Sequence, residues 1–272
     1  MINILFGGNY KVFDGILLCL LSMCKHTDEP LNIFILTADL QKINPEYKPI
    51  NKQHISILNS VVKEKNIINN VSLIYADGEF EDWITNNKNQ FSKYTPFAFL
   101  RLFADKANIP NKIVYLDTDI MINGDISKLF NVDISNYELG VVLDRYGRFF
   151  IKHNYFNSGV LLMNMQKIKE TNLLVNVRNL CKNKKMIFPD QNALNKLCKK
   201  KLYLPRKFNE QGKLKKDTII QHFSKRFSLI PFFHTINIKP WQIDLVHTKY
   251  KNFAYDDVYE EYLSIKNNLK KT

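Results

Sequence analysis

The sequence has 272 residues, of which 45% are hydrophobic and 24% charged, and its net charge is +13. This composition is ordinary for a globular chain with one large α/β domain or two small ones, so it excludes a disordered or fibrous protein. The longest nearly apolar stretch, residues 15–24, is too short to cross a bilayer, and the first residues predict a strand rather than a signal peptide.

The positive charge is concentrated between residues 182 and 216, where twelve Lys or Arg residues accompany only Asp190 and Glu210. Such a segment favours polyanions or an anionic membrane surface, with a solvated lysine-rich face as the alternative. Nucleic acid is not expected, because no helix-turn-helix, zinc-finger or aromatic ribonucleoprotein pattern accompanies the charge. The four cysteines form no Cys-x-x-Cys pair, which indicates core thiols and a reducing cytoplasm.

The N-terminal part alternates predicted strands and helices. Strands are predicted over 2–7, 31–37 and 71–76, with an apolar helix over 12–24 and a polar helix over 51–65 between them. This alternation is typical of an α/β protein with a doubly wound, largely parallel sheet. Gly7, Gly8 and Asn9 follow the first strand, and they form either the entry turn of a nucleotide-binding unit or only a tight turn.

Asp117 and Asp119 directly follow the apolar segment 113–116, which predicts a strand buried on both faces. Ligands of open α/β sheets bind beyond the carboxyl ends of the strands, and a spacing of two in extended chain points both carboxylates to one side. The pair suits a divalent cation that bridges two phosphates, with a plain turn as the alternative. An EF-hand calcium loop is excluded, because no Glu stands at the position that would close a twelve-residue loop. A phosphatase of the haloacid dehalogenase type is disfavoured because Met121 stands where Thr or Val is expected.

Further polar residues lie within or beside apolar segments, and each has a structural alternative. Arg101, in an apolar helix over 94–103, either pairs with an interior carboxylate or reaches a diphosphate. Asp144 ends a strand over 138–143 and is either a turn cap or a site residue. Asn157–Gly159 begins a buried strand, which indicates close approach of backbone to a ligand or a bulge.

The C-terminal part adds two more candidates. An amphipathic helix is predicted over 166–182, and Pro189 and Asp190 fit helix-initiating positions, so Asp190 can be a cap. His222 lies in a predicted strand over 218–223, and a single histidine on a strand is more often structural than a ligand. The stretch 255–270 predicts a surface helix with an aromatic side and a basic end.

Taken together, these segments resemble glycosyltransferase family 8, the retaining, metal-dependent enzymes that include glycogenin and bacterial lipopolysaccharide glucosyl- and galactosyltransferases. The matching segments follow the family's order: Arg101 with Leu102, Leu-Asp-Thr-Asp at 116–119, Tyr-Phe-Asn-Ser-Gly-Val-Leu-Leu-Met-Asn at 155–164, Pro-Asp-Gln at 189–191, and His222 with Lys-Pro-Trp at 239–241. The resemblance implies a single domain of GT-A type over 1–250, Rossmann-like, with a C-terminal helix over 251–272 that associates with the membrane.

The resemblance also implies roles for individual residues. It makes Asp117, Asp119 and His222 ligands of Mn²⁺, with Mg²⁺ as the alternative, since an imidazole beside two carboxylates suits Mn²⁺ better. The implied donor-binding residues are Gly7, Gly8 and Asn9 for the uridine, Thr118 beside the ribose, Arg101, Asp144 and Asn157 for the sugar, and Lys239 for the diphosphate. Asp190 also holds the sugar, and Gln191 lies against its reactive face.

Two features depart from the family pattern. Asn9 and Tyr10 stand where family members often place acidic residues, and the segment between His222 and Lys239 is longer than the family's compact loop. The inserted residues 224–238 are rich in aromatic side chains and predict an acceptor-binding lid. They include Phe227, Ile230, Phe232, Phe233 and His234.

The implied activity is transfer of glucose or galactose from UDP-glucose or UDP-galactose to a glycan or a lipid-linked acceptor, with retention of configuration. Same-face attack assisted by the leaving phosphate is favoured over double inversion at Asp190 or Gln191, because Gln is a poor nucleophile. The enzyme is expected in the cytoplasm, against the inner face of an anionic membrane. The alternatives are a metal-dependent phosphatase or nucleotidyltransferase acting on a sugar phosphate, and a basic non-catalytic protein that binds glycans or nucleic acid.

Overall fold

A computed structural model describes residues 1–76, 78–89, 95–228 and 234–269. The elements of the first half are β1 (Ile2–Gly7), α1 (Phe13–His26), β2 (Leu31–Thr37), α2 (Lys52–Lys65), β3 (Asn70–Tyr75), α3 (Gly78–Thr85), a 3₁₀ helix (Pro96–Lys106), β4 (Lys112–Leu116), β5 (Ile120–Ile122), α4 (Ser127–Phe130) and β6 (Leu139–Leu143). Those of the second half are α5 (Gly147–Phe150), β7 (Phe156–Asn164), α6 (Met165–Glu170), α7 (Leu173–Asn183), α8 (Pro189–Leu197), β8 (Lys201–Tyr203), β9 (Ile220–His222), β10 (Arg226–Ser228), β11 (His234–Ile236), α9 (Ile243–Tyr250) and α10 (Asp256–Leu269).

Seven strands form the central sheet in the order β3-β2-β1-β4-β7-β6-β8. Neighbouring strands are parallel except where β7 pairs with β4 and with β6. The prediction of a mostly parallel sheet flanked by helices is confirmed. Because β7 runs in the opposite direction, its first residues lie at the carboxyl end of β4, with Val160 opposite Leu116. This reversal brings Asn157–Gly159 to the edge of the sheet where Asp117 and Asp119 leave β4.

Helices cover both faces of the sheet. On one face α1 is buried continuously from Ile16 to Cys24 and packs against α2, β5 and α10, so the apolar stretch of the sequence is a core helix. On the other face the 3₁₀ helix packs with α7 and α8. Within the described ranges, no helix is both long and apolar enough to span a bilayer.

The C-terminal helix α10 contacts α1 through a buried aromatic side. Val258, Tyr259 and Tyr262 are all buried there, so the core occupies the side that the sequence predicted as aromatic. The outer side carries Glu260 and Glu261. The predicted basic end reaches residues 270–272, which lie outside the described part of the chain.

Two predicted helices differ from the observed ones. The helix predicted over 166–182 is wrong as a single element, because the chain breaks into α6 and α7 at Asn172, whose φ is +54°. Asn tolerates this left-handed conformation better than most residues, so the break is compatible with the local sequence. The apolar helix that carries Arg101 is 3₁₀ over Pro96–Lys106, and residue 94 lies outside the described ranges.

Candidate active site

The three predicted metal ligands converge at the end of β4. Asp117 and Asp119 follow that strand, and β5, which comes next, pairs with β9 so that Ile120 lies opposite His222. The backbone N–H of Phe223 donates to the carbonyl of Asp119 at 2.9 Å, which fixes the two segments together. One ligand atom each from Asp117, Asp119 and His222 lies within 4.8 Å of the other two. Two segments about a hundred residues apart thus bring together three side chains that can hold a cation.

Hydrogen bonds orient the imidazole of His222 toward the two acids. Its Nε2 lies 3.1 Å from Oδ1 of Asp119 and 3.9 Å from Oδ2 of Asp117. Its Nδ1 lies 3.1 Å from Oδ1 of Asn209, and Asn209 donates in turn to Asn157 at 3.0 Å. When Nδ1 carries a proton, it donates a hydrogen bond to Oδ1 of Asn209. Nε2 is then the nitrogen that faces the carboxylates. The imidazole is thus held in the orientation that a metal ligand needs.

Positive charge surrounds the two carboxylates. Lys239 places its Nζ 2.6 Å from Oδ2 of Asp119 in spite of the long insert before it. Burial alone would raise the pKa of Asp119, but the charges of His222 and Lys239 outweigh it and hold that pKa well below its ordinary value. Burial lowers the pKa of His222, and the charge of Asp119 more than reverses this, so the pKa lies above its ordinary value. Asp119 is therefore ionised, which is the protonation state that a metal ligand needs.

Arg101 joins two of the predicted site residues. Its Nη2 lies 2.8 Å from Oδ1 of Asp117, and its Nε lies 3.4 Å from Oδ2 of Asp190. Its Nη1 donates to the carbonyl of Ser158 at 2.6 Å, and the guanidinium packs over the ring of Tyr115. The arginine is only 6% exposed, so the two carboxylates offset its cost of burial. Of its two predicted roles, the structure shows the interior pairing, and contact with a donor stays a prediction.

Asp144, Asn157, Asp190 and Gln191 lie together beside this arginine. Oε1 of Gln191 accepts from the Ser158 N–H at 3.0 Å and the Ser158 hydroxyl at 3.2 Å. Nδ2 of Asn157 donates to Oδ2 of Asp144 at 3.1 Å. Burial raises the pKa of Asp190, and the neighbouring Arg101 opposes that shift. The polar residues that the sequence placed in three separate segments thus form one connected network.

A bulge in β7 shapes the space between the acids and the histidine. Residues 158–160 have no register partner on β6, because Leu161 pairs with Val141 and Asn157 with Val142. The carbonyl of Gly159 accepts from the N–H of Asp117 at 2.7 Å. A Cβ at Gly159 would lie 2.6 Å from Oδ2 of Asp117 and closer still to Cε1 of His222. The predicted bulge is present, while the predicted close approach of backbone to a ligand stays a prediction.

The predicted nucleotide-binding residues lie on the neighbouring strand. β1 pairs with β4 in parallel, Leu5 opposite Tyr115, so Gly7, Gly8 and Asn9 leave the sheet at the same edge as Asp117. Asn9 is buried and forms a bridge with Pro49. The carbonyl of Thr118 faces α1, where a Cβ at Gly15 would overlap it. The position of these residues agrees with a nucleotide pocket, and their contacts with uridine and ribose stay predictions.

The sequence reading missed Asn209 and Tyr115. Asn209 is fully buried and links His222 to Asn157, and the hydroxyl of Tyr115 donates to Oδ1 of Asp117 at 2.9 Å. The run Asn209-Glu210-Gln211 is buried although it is polar throughout, which is unusual without a ligand or partner network. The predicted lid, residues 224–238, begins in β10 and ends after β11, which pair antiparallel. Its residues 229–233 lie outside the described ranges.

The chain is similar in sequence and in fold to proteins of one known family. The model of glycosyl transferase family 8 matches residues 3–244. A relative from Haemophilus influenzae is 28% identical over 227 residues, which are 76% of this chain and 62% of that protein. The lipopolysaccharide 1,2-glucosyltransferase of Escherichia coli K12 is 29% identical over 149 residues, which are 48% of this chain and 44% of that enzyme. The chain thus matches less than two thirds of the length of these relatives.

Among solved structures, the galactosyltransferase LgtC in complex with donor and acceptor sugar analogs has a TM-score of 0.65 with this chain. The alignment covers 98% of this chain and 96% of LgtC at 16% identity, and it shows that the fold is of GT-A type. The family model spans almost the whole chain and includes every predicted site residue. The chain therefore belongs to glycosyl transferase family 8.

Proposed function

We propose that the protein is a retaining hexosyltransferase that moves glucose or galactose from UDP-glucose or UDP-galactose to a glycan or a lipid-linked acceptor. The observation that carries the proposal is the convergence of Asp117, Asp119 and His222, with Lys239 on Asp119 and Gln191 in the adjoining network. Membership of the family gives no support to the phosphatase and nucleotidyltransferase alternatives. A non-catalytic glycan or nucleic-acid binding protein remains the alternative that turnover has to test.

The donor set fits a divalent cation. Two carboxylates and one imidazole favour Mn²⁺, with Mg²⁺ less well suited, since imidazole shifts preference away from ions that take only oxygen. When bound, Mn²⁺ supplies Lewis-acid stabilisation of the diphosphate that leaves the sugar. Asp117, Asp119 and His222 would hold the ion, and Asn209 keeps the imidazole in place.

The chain itself adds positive charge where the leaving group develops negative charge. The ammonium of Lys239 lies at Asp119, within the same cluster as the proposed ligands. Preorganised charge of this kind is typically the largest single contribution to catalysis in such transfers. Arg101 acts mainly through Asp117 and Asp190, so we assign it to positioning these carboxylates.

The geometry supports same-face attack for the retaining step. A nucleophile for double inversion must have a free lone pair beside the sugar carbon. Oε1 of Gln191, a poor nucleophile as an amide oxygen, already accepts two hydrogen bonds from Ser158, and the charge of Arg101 beside Oδ2 makes the Asp190 carboxylate less nucleophilic. We therefore propose that the acceptor attacks on the face that the diphosphate leaves. A covalent sugar adduct on Asp190 or Gln191, trapped during turnover, would contradict this.

We place the reaction in the cytoplasm, at the inner face of an anionic membrane that carries the acceptor. The relative from Escherichia coli is a lipopolysaccharide glucosyltransferase, which supports an acceptor of cell-surface type. The basic segment 182–216 supplies the charge for such a surface.

The test is turnover of labelled UDP-glucose and UDP-galactose, with Mn²⁺ and with a chelator. We expect hydrolysis or transfer with Mn²⁺ only, and its loss in Asp119→Asn, which keeps the side-chain volume and removes the charge. Asp217→Asn, an exposed loop substitution, is the matched control and should retain full turnover. An unchanged melting temperature for Asp119→Asn would show that the loss is chemical. No turnover of any UDP-sugar by the folded wild type would favour the non-catalytic alternative.

A further inference from the structure

Gly212 lies at the centre of three arginines from three separate segments. A Cβ at this glycine would lie 2.9 Å from Nη2 of Arg206 and closer still to Nη1 of Arg145. Nη2 of Arg226 donates to the carbonyl of Gly212 at 2.8 Å. Gly212 itself is buried. The absence of a side chain at this position therefore allows three guanidinium groups to approach one point.

Only one carboxylate balances these arginines. Glu210, 1% exposed, accepts from Nη2 of Arg206 at 2.6 Å and from the Gly212 N–H at 2.6 Å. Over the described residues no ion pair involves Arg145 or Arg226. Lys215 also lies beside Glu210, with its Nζ 4.0 Å from Oε2, so the single carboxylate of Glu210 faces three arginines and one lysine. Like charges are not expected to gather in this way without an anion to bind.

Arg226 shows that this excess is not simply solvated. Its Nε is buried and has no hydrogen-bond partner among the described residues, while its guanidinium packs over the ring of Tyr250 at 3.9 Å. Burial, together with the charge of Arg145, lowers the pKa of Arg226 below its ordinary value. A buried donor without an acceptor destabilises the folded chain, and a bound anion can offset that cost.

The cluster adjoins the residues that we assign to the donor sugar. Arg145 follows Asp144 directly, and its N–H donates to Oε1 of Gln211 at 3.0 Å. Two residues before Gln211, Asn209 contacts both Asn157 and the imidazole of His222. The arginines therefore adjoin the sugar network through Asp144 and Asn209. An acceptor has to approach the transferred sugar from close to this network.

We infer that Arg145, Arg206 and Arg226 bind a phosphate group carried by the acceptor. The inference rests on the proposed transferase function and names its acceptor class, a phosphorylated sugar. A phosphomonoester carries a charge of about −1.5 to −2 at neutral pH, so it would offset much of this excess positive charge. Its oxygens accept from several directions at once, as guanidinium groups from three segments provide. A carboxylate can be bound by two parallel N–H donors of a single arginine, so it would not need three arginines.

The test uses inorganic phosphate and glucose 6-phosphate as probes, by calorimetry at constant ionic strength so that screening is equal in all samples. UDP with Mn²⁺ is titrated first, and its binding by the wild type tests the proposed function separately. We expect glucose 6-phosphate to bind at least tenfold more tightly than glucose. Arg145→Gln and Arg226→Gln should each weaken both phosphate probes about tenfold, as for loss of one charge-assisted hydrogen bond, and leave UDP affinity unchanged.

Lys63→Gln is the matched control, because this exposed lysine lies on α2 beyond the opposite edge of the sheet and its loss removes the same charge. Should Arg226→Gln fail to fold, Arg145→Gln and the charge-preserving Arg145→Lys decide the question, with an intermediate loss expected for the lysine. Equal binding of phosphate by the wild type and the folded arginine variants would overturn the inference. So would a loss of UDP affinity in these variants, since the cluster would then serve the donor.

Discussion

Gly159 is the residue whose lack of a side chain matters most for the candidate metal site. We predict that Gly159→Ala abolishes Mn²⁺-dependent turnover, because its methyl group would overlap Cε1 of His222 and lie 2.6 Å from Oδ2 of Asp117. The imidazole is 3% exposed and held by Asn209, so it cannot move without breaking that bond. Overpacking of this kind costs roughly 1–3 kcal/mol. Turnover assays and urea unfolding measure the two effects.

Gly78→Ala provides the control for this change. It adds the same methyl group at the start of α3, where nothing lies within 4 Å of the new Cβ. We expect unchanged turnover and unchanged or slightly increased stability, since alanine restricts the unfolded chain more than glycine. Wild-type metal dependence in Gly159→Ala would show that the imidazole does not have to stay where the structure places it.

Single residues differ in how far the sequence reveals their place in the site. Asp117 and Asp119 are predictable because the strand before them fixes both their location and their common direction. His222 and Lys239 are assigned only through the family resemblance, because no local sequence pattern predicts that β9 pairs with β5. Asn209 has no local pattern at all, because its role comes from lying 3.1 Å from a ring thirteen residues further along the chain. Contacts of this kind depend on tertiary structure.

At the scale of elements, α2 begins with an unusual capping box. Oδ1 of Asn51 accepts from the N–H of His54 at 2.9 Å, and Nδ1 of His54 accepts from the N–H of Asn51 at 3.2 Å. Only a neutral imidazole can accept this bond. Burial, with a smaller contribution from the charge of Lys266, lowers the pKa of His54 below 6.5. The helix start is therefore sensitive to acid.

We predict that His54→Gln reduces the loss of stability on acidification. A histidine with a lowered pKa in the folded state takes up protons more readily when unfolded, so its contribution is complete above pH 6.5 and is lost as the pH falls through the folded pKa. Glutamine keeps an acceptor at this position and does not titrate. Urea unfolding at pH 8 and pH 5 should show a larger decrease in the free energy of unfolding for the wild type than for the variant. His153→Gln, in an exposed loop, is the control, and parallel losses in wild type and His54→Gln would contradict the prediction.

Element types were predictable where periodicity and caps agree, as in β1, α1, β2 and α2. The direction of a strand could not be predicted, because the alternation of side chains in β7 is the same whichever way the strand runs. The break between α6 and α7 depends on one backbone angle at Asn172, which no apolar period encodes. The partner of an amphipathic helix is equally invisible, so the aromatic side of α10 suggested a membrane where the structure has α1. Local patterns determine elements, and packing decides what each face contacts.

For the whole molecule, exposed apolar and cationic side chains lie together at the β8 edge of the sheet. Phe149 and Phe150 in α5 are 71% and 79% exposed, and Ile151 directly after that helix is 52% exposed, within the loop that joins β6 to β7 through α5. No acidic residue occurs between positions 145 and 153, while Arg148 and Lys152 flank the apolar side chains. The hydroxyl of Tyr203 in β8 donates to the carbonyl of Asn154, which ties the end of this loop to the edge strand. β8 begins with the lysines of the basic segment, so exposed aromatic and cationic groups share one edge.

We therefore predict that the protein binds vesicles containing anionic phosphatidylglycerol through this loop, and that salt reverses the binding. A phenylalanine side chain contributes roughly 1.5–3 kcal/mol when it is fully buried in an apolar phase. Partial insertion of two phenylalanine side chains should change the affinity for the vesicles about tenfold. The double variant Phe149→Ser with Phe150→Ser should therefore weaken cosedimentation by about this factor. The control replaces Ile67 and Ile68, which are 78% and 58% exposed between α2 and β3 at the opposite edge, with serine. Equal binding to neutral phosphatidylcholine vesicles, or equal losses in both double variants, would show that this edge does not face the membrane.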